Sequence, residues 1–456
     1  MSSNTNSTLQ KGTLLWQMSK KFQFAAEKII PDSFVFCLIL TFIVFIGSLV
    51  AGAKPLELVN AWADGLWTQS TFAFQMSLMV VVCATCAKSA QVNRLLTKLA
   101  DLVHTPTGAM ILLMLFGYGS SFVNWAFCTI VTPILAMQLA KRINGLHFPM
   151  MIAAGYSCMI LGQCLGPSAS LYALLATPGH FLEDKIGVLT QAQTTYNTMN
   201  VILWTVLAVS FMVIAIFTRP PKHETVEFSS ALDSVSPNYD VIEKLTPADK
   251  MNGSRIIMWL IGVGGLVAIL YSFISKGFLG SLSVNFIIFL FLIINCFLYN
   301  SPRAFVEAHK DNMRLSCEVL IQFPFYGGIM GLMNCGLGQV IVSAIVSVAN
   351  ARTMPLFSFL SASVVNLFIP SQGGQWIVQG PLIVDAVQQT GANMIDCINA
   401  FVLGDEATNL LQPLYVIPAL SVVGMKLKDV WGFMAFIWVF WSVITCLGLY
   451  FIPMFV

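Results

Sequence analysis

Residues 363–381 read SVVNLFIPSQGGQWIVQGP. The stretch is polar, rich in Gly and Pro, and uncharged, and it lies within an otherwise apolar segment, 355–387. Hydrocarbon offers no water to exposed N–H and C=O groups, so irregular backbone survives at that depth only where protein or a water-filled cavity surrounds it. The pattern predicts a re-entrant hairpin and not a spanning helix. A tip near 370–375 leaves two arms of roughly 14 residues, about 20 Å each. That is short of the ~30 Å hydrocarbon core.

The whole chain has the same character. Its 456 residues are 57% hydrophobic and 10% charged, against about 25% charged in a soluble domain. An all-α polytopic membrane protein follows, and nothing points to a nucleic-acid partner. The eleven cysteines are scattered through apolar segments; Cys83 and Cys86, reading CATC inside a span, are read as packing residues. Residues 1–33 form an N-terminal amphipathic segment without the layout of a cleaved signal peptide. Within it, 16–30 alternates apolar residues with Lys20, Lys21 and Lys28, as in a helix lying on a membrane surface.

In order, the sequence predicts a span over 34–51, an interfacial loop over 53–69 and a span over 72–90. A hairpin over 107–140 follows, with the tip GYGSSFVNW at 117–125. An apolar segment over 148–178 is broken by GQCLGPSAS at 162–170, and a span over 198–217 closes this half. Residues 218–253 are a hydrophilic linker. The second half carries spans over 256–274, 282–298 and 319–337, the last with QFPFYGGI. Then come the hairpin quoted above, a segment over 398–420 broken by GDEATNLLQP at 404–413, and a span over 430–452.

The halves, 34–217 and 254–456, are related. SFVNW at 121–125 matches SVVNL at 363–367, and MILGQ at 159–163 matches FVLGD at 401–405, both at an offset of 242. LYALLATP at 171–178 resembles LYVIPALS at 414–421 one residue of drift later. With hairpins that do not cross and broken helices that do, 19 of the 23 Lys and Arg fall on one side; only Lys54, Lys185, Lys276 and Arg352 fall opposite. The positive-inside rule makes the first side, with the N-terminus, cytoplasmic. The hairpins then open to opposite sides, so the repeats are inverted. Inverted repeats whose broken helices meet at mid-membrane are the architecture of secondary transporters.

Neither 107–140 nor 353–384 contains Lys, Arg, Asp or Glu. The candidate substrate residues are Ser121, Asn124, Ser363, Asn366, Ser371, Gln372, Gly373, Gly374, Gln375, Trp376 and Gln379, with Gln163 and Ser168 from the first break. Helix N-termini at such breaks attract a carboxylate, and freed carbonyls hold a cation. Small polar residues also serve simply to pack helices closely. Asp405 and Glu406 are adjacent acids deep in a span, where charge is costly and faces a cavity. With Asn124, Asn366 and Asn409 they form a candidate site for a coupling ion, Na⁺ or a proton; no organic cofactor is implied. A centre without a fixed cation suits a small monocarboxylate better than a dicarboxylate. An intramembrane enzyme would need a nucleophile–base or metal set, and neither HExxH nor GxSxG occurs.

VVNLFIPSQGGQWIVQGP, QFPFYGGI, LLATPG at 174–179 and the GDE…N…QP pattern resemble the short-chain fatty acid transporter family, from about residue 34 to the C-terminus. The resemblance implies uptake of monocarboxylates such as butyrate or acetoacetate across a bacterial inner membrane. It also implies a multi-pass protein of an ion transporter superfamily with paired re-entrant hairpins, working as a homodimer. It places Asn124, Asn366, Ser371, Gly373, Gly374, Gln379 and Asp405 at the centre. Two features depart from the family pattern. Gln372 interrupts a tip that commonly reads PSGGG, and the first break reads GQCLGPSAS where a Gly-rich run is common.

Overall fold

The computed structural model describes residues 12–29, 33–68, 70–166, 169–228, 246–281, 284–370, 372–413 and 415–452. Ser168, Ser371 and residues 229–245 of the linker lie outside the described residues. All regular structure among the described residues is helical.

The amphipathic segment forms α1 (Leu14–Ile29) and the first apolar run α2 (Ser33–Val50). The stretch expected to be an interfacial loop is helix α3 (Pro55–Thr68), followed by α4 (Ser70–Lys88). Ser89 caps α5 (Ala90–Ala100) by accepting the Val92 N–H, and Thr105 caps α6 (Pro106–Val123) by accepting the Gly108 N–H. The chain turns at the single residue Asn124 into α7 (Trp125–Ala140). Then follow α8 (Phe148–Gly162), a break, α9 (Ser170–Leu175), the single turn α10 (Glu183–Ile186) and α11 (Thr198–Phe217). The linker ends in α12 (Pro247–Asn252), opened by a Thr246–Asp249 capping box.

The second half comprises α13 (Arg255–Ser281), α14 (Val284–Leu298), α15 (Pro302–Asn312), α16 (Cys317–Leu332) and α17 (Gly338–Val346). It continues with α18 (Met354–Asn366), α19 (Gln372–Thr390), α20 (Met394–Thr408), α21 (Ile417–Val423) and α22 (Leu427–Phe451). Five stretches among the described residues are long and apolar enough to cross a bilayer, Thr198–Phe217 and Leu427–Phe451 among them.

Helix α3 is no surface loop because it packs backbone-to-backbone on α16. A Cβ on Gly331 would stand 2.1 Å from the Ala61 carbonyl oxygen, and one on Gly65 2.5 Å from that of Gly327. The glycines of GGIMG therefore serve helix contact, the small-residue packing familiar from membranes. Cys83 and Cys86 are buried in α4 and unbridged.

Each half pairs a helical hairpin with a broken helix, and the four pieces cross over. The longer pieces stay at home: α8 packs on α6 and α7, and α20 on α18 and α19. The shorter pieces are exchanged: α9 packs on α19 of the other half's hairpin, and α21 on α7. Residues equivalent at the offset of 242 meet in both halves. Ser363 Oγ donates to the Gly404 carbonyl at 3.1 Å. A Cβ on Gly162 would stand 2.5 Å from the Ser121 Cβ.

The breaks free backbone groups that must find partners. Trp204 Nε1 donates to the Leu161 carbonyl and Trp431 Nε1 to that of Leu411, each at 2.9 Å. Thus the last span of each half caps that half's own break.

The register of the centre differs from expectation in two places. Helix resumes at Gln372, so Gly373, Gly374 and Gln375 lie in the first turns of α19 and not in an irregular tip. Glu and Ala, good helix formers, carry α20 on to Thr408, so Asp405 and Glu406 sit in its last turn and the break begins at Asn409.

At one end the start of the linker folds back on the bundle. Glu224 accepts hydrogen bonds from Trp16 Nε1 and Lys20 Nζ, both at 2.7 Å, and the Val226 N–H donates to His147 Nδ1 at 3.1 Å.

Candidate functional site

The centre is built from the end of α18, the start of α19 and the last turn of α20. Close approach comes first: a Cβ on Gly404 would stand 2.3 Å from the Phe359 carbonyl oxygen and 3.0 Å from the Ala362 Cβ, so only glycine lets α20 lie this near α18. That contact brings Asn366 to the end of α20. Its Nδ2 donates to Thr408 Oγ1 at 3.0 Å and to Asn409 Oδ1 at 2.9 Å. Asn409 Nδ2 donates to Glu406 Oε2 at 3.0 Å. Gln372 Nε2 donates to Glu406 Oε1 at 3.2 Å.

Glu406 thus accepts one N–H at each oxygen, the arrangement that favours a charged carboxylate. Asp405 is its opposite. It is 1% exposed, and neither of its oxygens has a hydrogen-bond partner among the described residues. Neither acid has an ion-pair partner among the described residues. Asn366 Oδ1 and Gln375 Oε1 are also buried without a donor among the described residues. Buried acceptors with no donor are costly. Backbone carbonyls near the break are less available, since Tyr156 OH donates to the Asn409 carbonyl at 2.9 Å.

The other sequence-derived residues sort into distinct roles. Asn124, the equivalent of Asn366, accepts the Phe127 N–H at 3.1 Å and so caps α7. Ser121 donates to the Tyr118 carbonyl within its own helix. Gln163 lies at the end of α8, its amide 3.7 Å from Met159 Sδ. Gln375 donates to the Ala362 carbonyl and to Gln379 Oε1, and Gln379 donates to Ser361 Oγ at 2.7 Å; this ladder locks α19 onto α18. Trp376 is fully buried edge-on against Phe401, and Gly380 makes room for its ring. It is a packing residue. Gly373 lies 3.7 Å, at the position of a Cβ, from Ser170 Oγ.

Four residues at the centre escaped the sequence reading. The Leu171 N–H donates to Gln372 Oε1 at 2.8 Å and Ser170 Oγ to the same atom at 3.3 Å. Tyr415 OH donates to the Pro370 carbonyl at 2.9 Å. Tyr172 OH donates to Asn399 Oδ1 at 2.8 Å. The repeated word LY, at 171–172 and 414–415, was the available signal.

Apolar helices around a buried polar centre, with hairpins and broken helices exchanged between halves, define a multi-pass membrane protein of the carrier kind. The sequence model of the family described as short chain fatty acid transporter matches residues 14–452, and the chain belongs to that family. A Haemophilus influenzae protein whose inferred role is short-chain fatty acid transport is 31% identical over 451 residues, covering 96% of this chain and 100% of its own. An Escherichia coli protein of the same inferred role is 30% identical over 424 residues, covering 92% and 96%. Among solved structures, Neisseria gonorrhoeae MtrF, described with antimetabolite efflux pumps, aligns at TM-score 0.45 and 15% identity over 93% of this chain and 97% of its own. The Alcanivorax borkumensis YdaH transporter aligns at 0.45 and 12% over 91% and 98%. The protein is a transporter and not an enzyme.

Proposed function

We propose that this protein takes up short-chain monocarboxylates, of the butyrate and acetoacetate type, across a bacterial inner membrane in symport with a cation. One observation carries the reading: Asp405 and Glu406 are adjacent, fully buried and without a cationic partner among the described residues. Two buried carboxylates need compensating positive charge, and an anionic substrate brings a further negative one. Neither hairpin contains Lys or Arg. A cation entering with the substrate balances the site, held by Asp405 with Asn366 Oδ1 beside the break. Na⁺ and the proton both fit this donor set, the first through oxygen ligands.

Alternating access follows from the halves being inverted repeats with re-entrant hairpins. The shared offset of 242, the charge asymmetry of the loops and the exchanged pieces α9 and α21 support that relation. The N-terminus then lies in the cytoplasm, and the working unit is the homodimer the resemblance implies.

Asp405→Asn tests the reading. The variant, reconstituted into liposomes, should lose gradient-driven accumulation of labelled butyrate while eluting as a monodisperse species in detergent. Full accumulation in Asp405→Asn would remove the acid pair from ion coupling.

A further inference from the structure

Gln372 stands where three elements meet, and its amide orientation is decided by its neighbours. The Leu171 peptide N–H can only donate, so Oε1 must face it, at 2.8 Å, with Ser170 Oγ also donating to that atom. Nε2 is thereby turned to Glu406 Oε1 at 3.2 Å. From the other side, Asn366 Nδ2 donates to Asn409 Oδ1, and Asn409 Nδ2 to Glu406 Oε2. Two donor relays end on one carboxylate. The relay through Gln372 starts at a peptide group and cannot reverse. The relay through Asn409 starts at Asn366, whose Oδ1 is unpartnered, so it can reverse by amide flips.

We infer that Gln372 is a positioning residue that ties the tip of the second hairpin to both broken helices while Glu406 accepts its amide, and that cation entry at the acid pair breaks this tie. The inference rests on the cation-coupled reading above. A proton or metal ion shared between Asp405 and Glu406 Oε1 takes up negative charge and a lone pair of the oxygen that accepts from Gln372 Nε2, and so weakens that bond. Once that bond is lost, Gln372 remains held by Leu171 and Ser170 alone. The tip then stays with α9 while α20 is free of it. Gln372, the departure from the family's tip, is in this account the link between cation occupancy and hairpin movement.

The test uses the full chain in proteoliposomes, with initial rates of labelled butyrate uptake measured against cation concentration and, separately, against butyrate. Gln372→Glu puts two carboxylates face to face and removes the competing N–H. Its half-saturating cation concentration should fall about tenfold, the scale of one charge-assisted bond, with slower turnover and the butyrate KM unmoved. Gln372→Met removes the N–H without adding charge and should shift the same constant in the same direction. If Gln372→Glu fails to fold, Gln372→Met carries the test. A raised butyrate KM with unshifted cation dependence would make Gln372 a substrate contact and overturn the inference. A wild type indifferent to Na⁺ and protons would overturn the cation-coupled reading and this inference with it. Coupled wild type with unshifted variants overturns this inference alone.

Discussion

Trp125, the first residue of α7, stands edge-on to Tyr415, with ring centroids 5.4 Å apart. Tyr415 also donates its hydroxyl to the Pro370 carbonyl at 2.9 Å. One ring in the second break therefore touches the tips of both hairpins. At the corresponding crossing, Gln372, which opens α19, meets Ser170 and Leu171, which open α9. Each tip is met by residues that open, or lead into, the other half's short helical piece.

Tyr415→Phe keeps the ring contact and leaves the Pro370 carbonyl without its donor. A buried acceptor stripped of its partner costs about 1–3 kcal/mol. A lower thermal midpoint in detergent is expected, and Tyr415→Ala, which also removes the contact with Trp125, should fall further. Equal midpoints for the two variants would show that the ring contact contributes nothing.

Glycines in this fold differ in what they permit. A Cβ on Gly404 would press on the Phe359 backbone oxygen at 2.3 Å, whereas one on Gly264 in α13 would meet nothing within 4 Å. Gly404→Ala should destabilise by about 1–3 kcal/mol through overpacking. Gly264→Ala should be neutral or gain up to ~1 kcal/mol from helix propensity. Thermal midpoints of the two purified variants decide it; a neutral Gly404→Ala would mean that α18 and α20 are free to separate at no cost.

Much of this architecture is legible in the sequence. Hairpins and breaks show in the sequence because Gly, Pro and Asn interrupt apolar runs, and Ser363 and Gly404, marked by the offset, do touch. Other features were hidden for physical reasons. The helix over 55–68, expected as a loop, was hidden because nothing local reveals that Gly65 and Ala61 lie against the backbone of α16. The resumption of helix at Gln372 depends on contacts with Leu171 and Glu406, remote in sequence. The exchange of α9 and α21 is likewise a matter of long-range packing. Asn124 and Asn366, equivalent by offset, do different work because α7 begins one residue after the first while five residues separate the second from α19.

His147 gives the bundle a pH dependence. Burial against Trp16 and Phe433 pushes its pKa from the usual 6.5 down to about 4, with Glu224 opposing the shift. The native state then binds fewer protons at this site than the unfolded chain between about pH 6.5 and 4, so stability falls as pH is lowered through that window. The drop in thermal midpoint from pH 7 to pH 5 should be smaller in His147→Gln, which offers the Val226 N–H a neutral acceptor. An unchanged drop would place the pH sensitivity elsewhere.

Asn366→Ala removes the donor to both Thr408 and Asn409 and one of the orphaned oxygens proposed for the cation. Gradient-driven uptake should disappear while the variant stays monodisperse and helical by circular dichroism. Wild-type uptake in Asn366→Ala would exclude the end of α18 from the mechanism.

The most direct measurement is accumulation of labelled butyrate and acetoacetate in proteoliposomes under an imposed Na⁺ gradient and, separately, a proton gradient. Carboxylic acids with a pKa near that of Glu, about 4.3, are mostly anionic at neutral pH; their small neutral fraction crosses lipid unaided, so protein-free vesicles set the baseline. Cation-coupled symport predicts accumulation above that baseline driven by one of the two gradients, which names the ion. Accumulation of neither acid under either gradient, by protein that is folded and inserted, would contradict it.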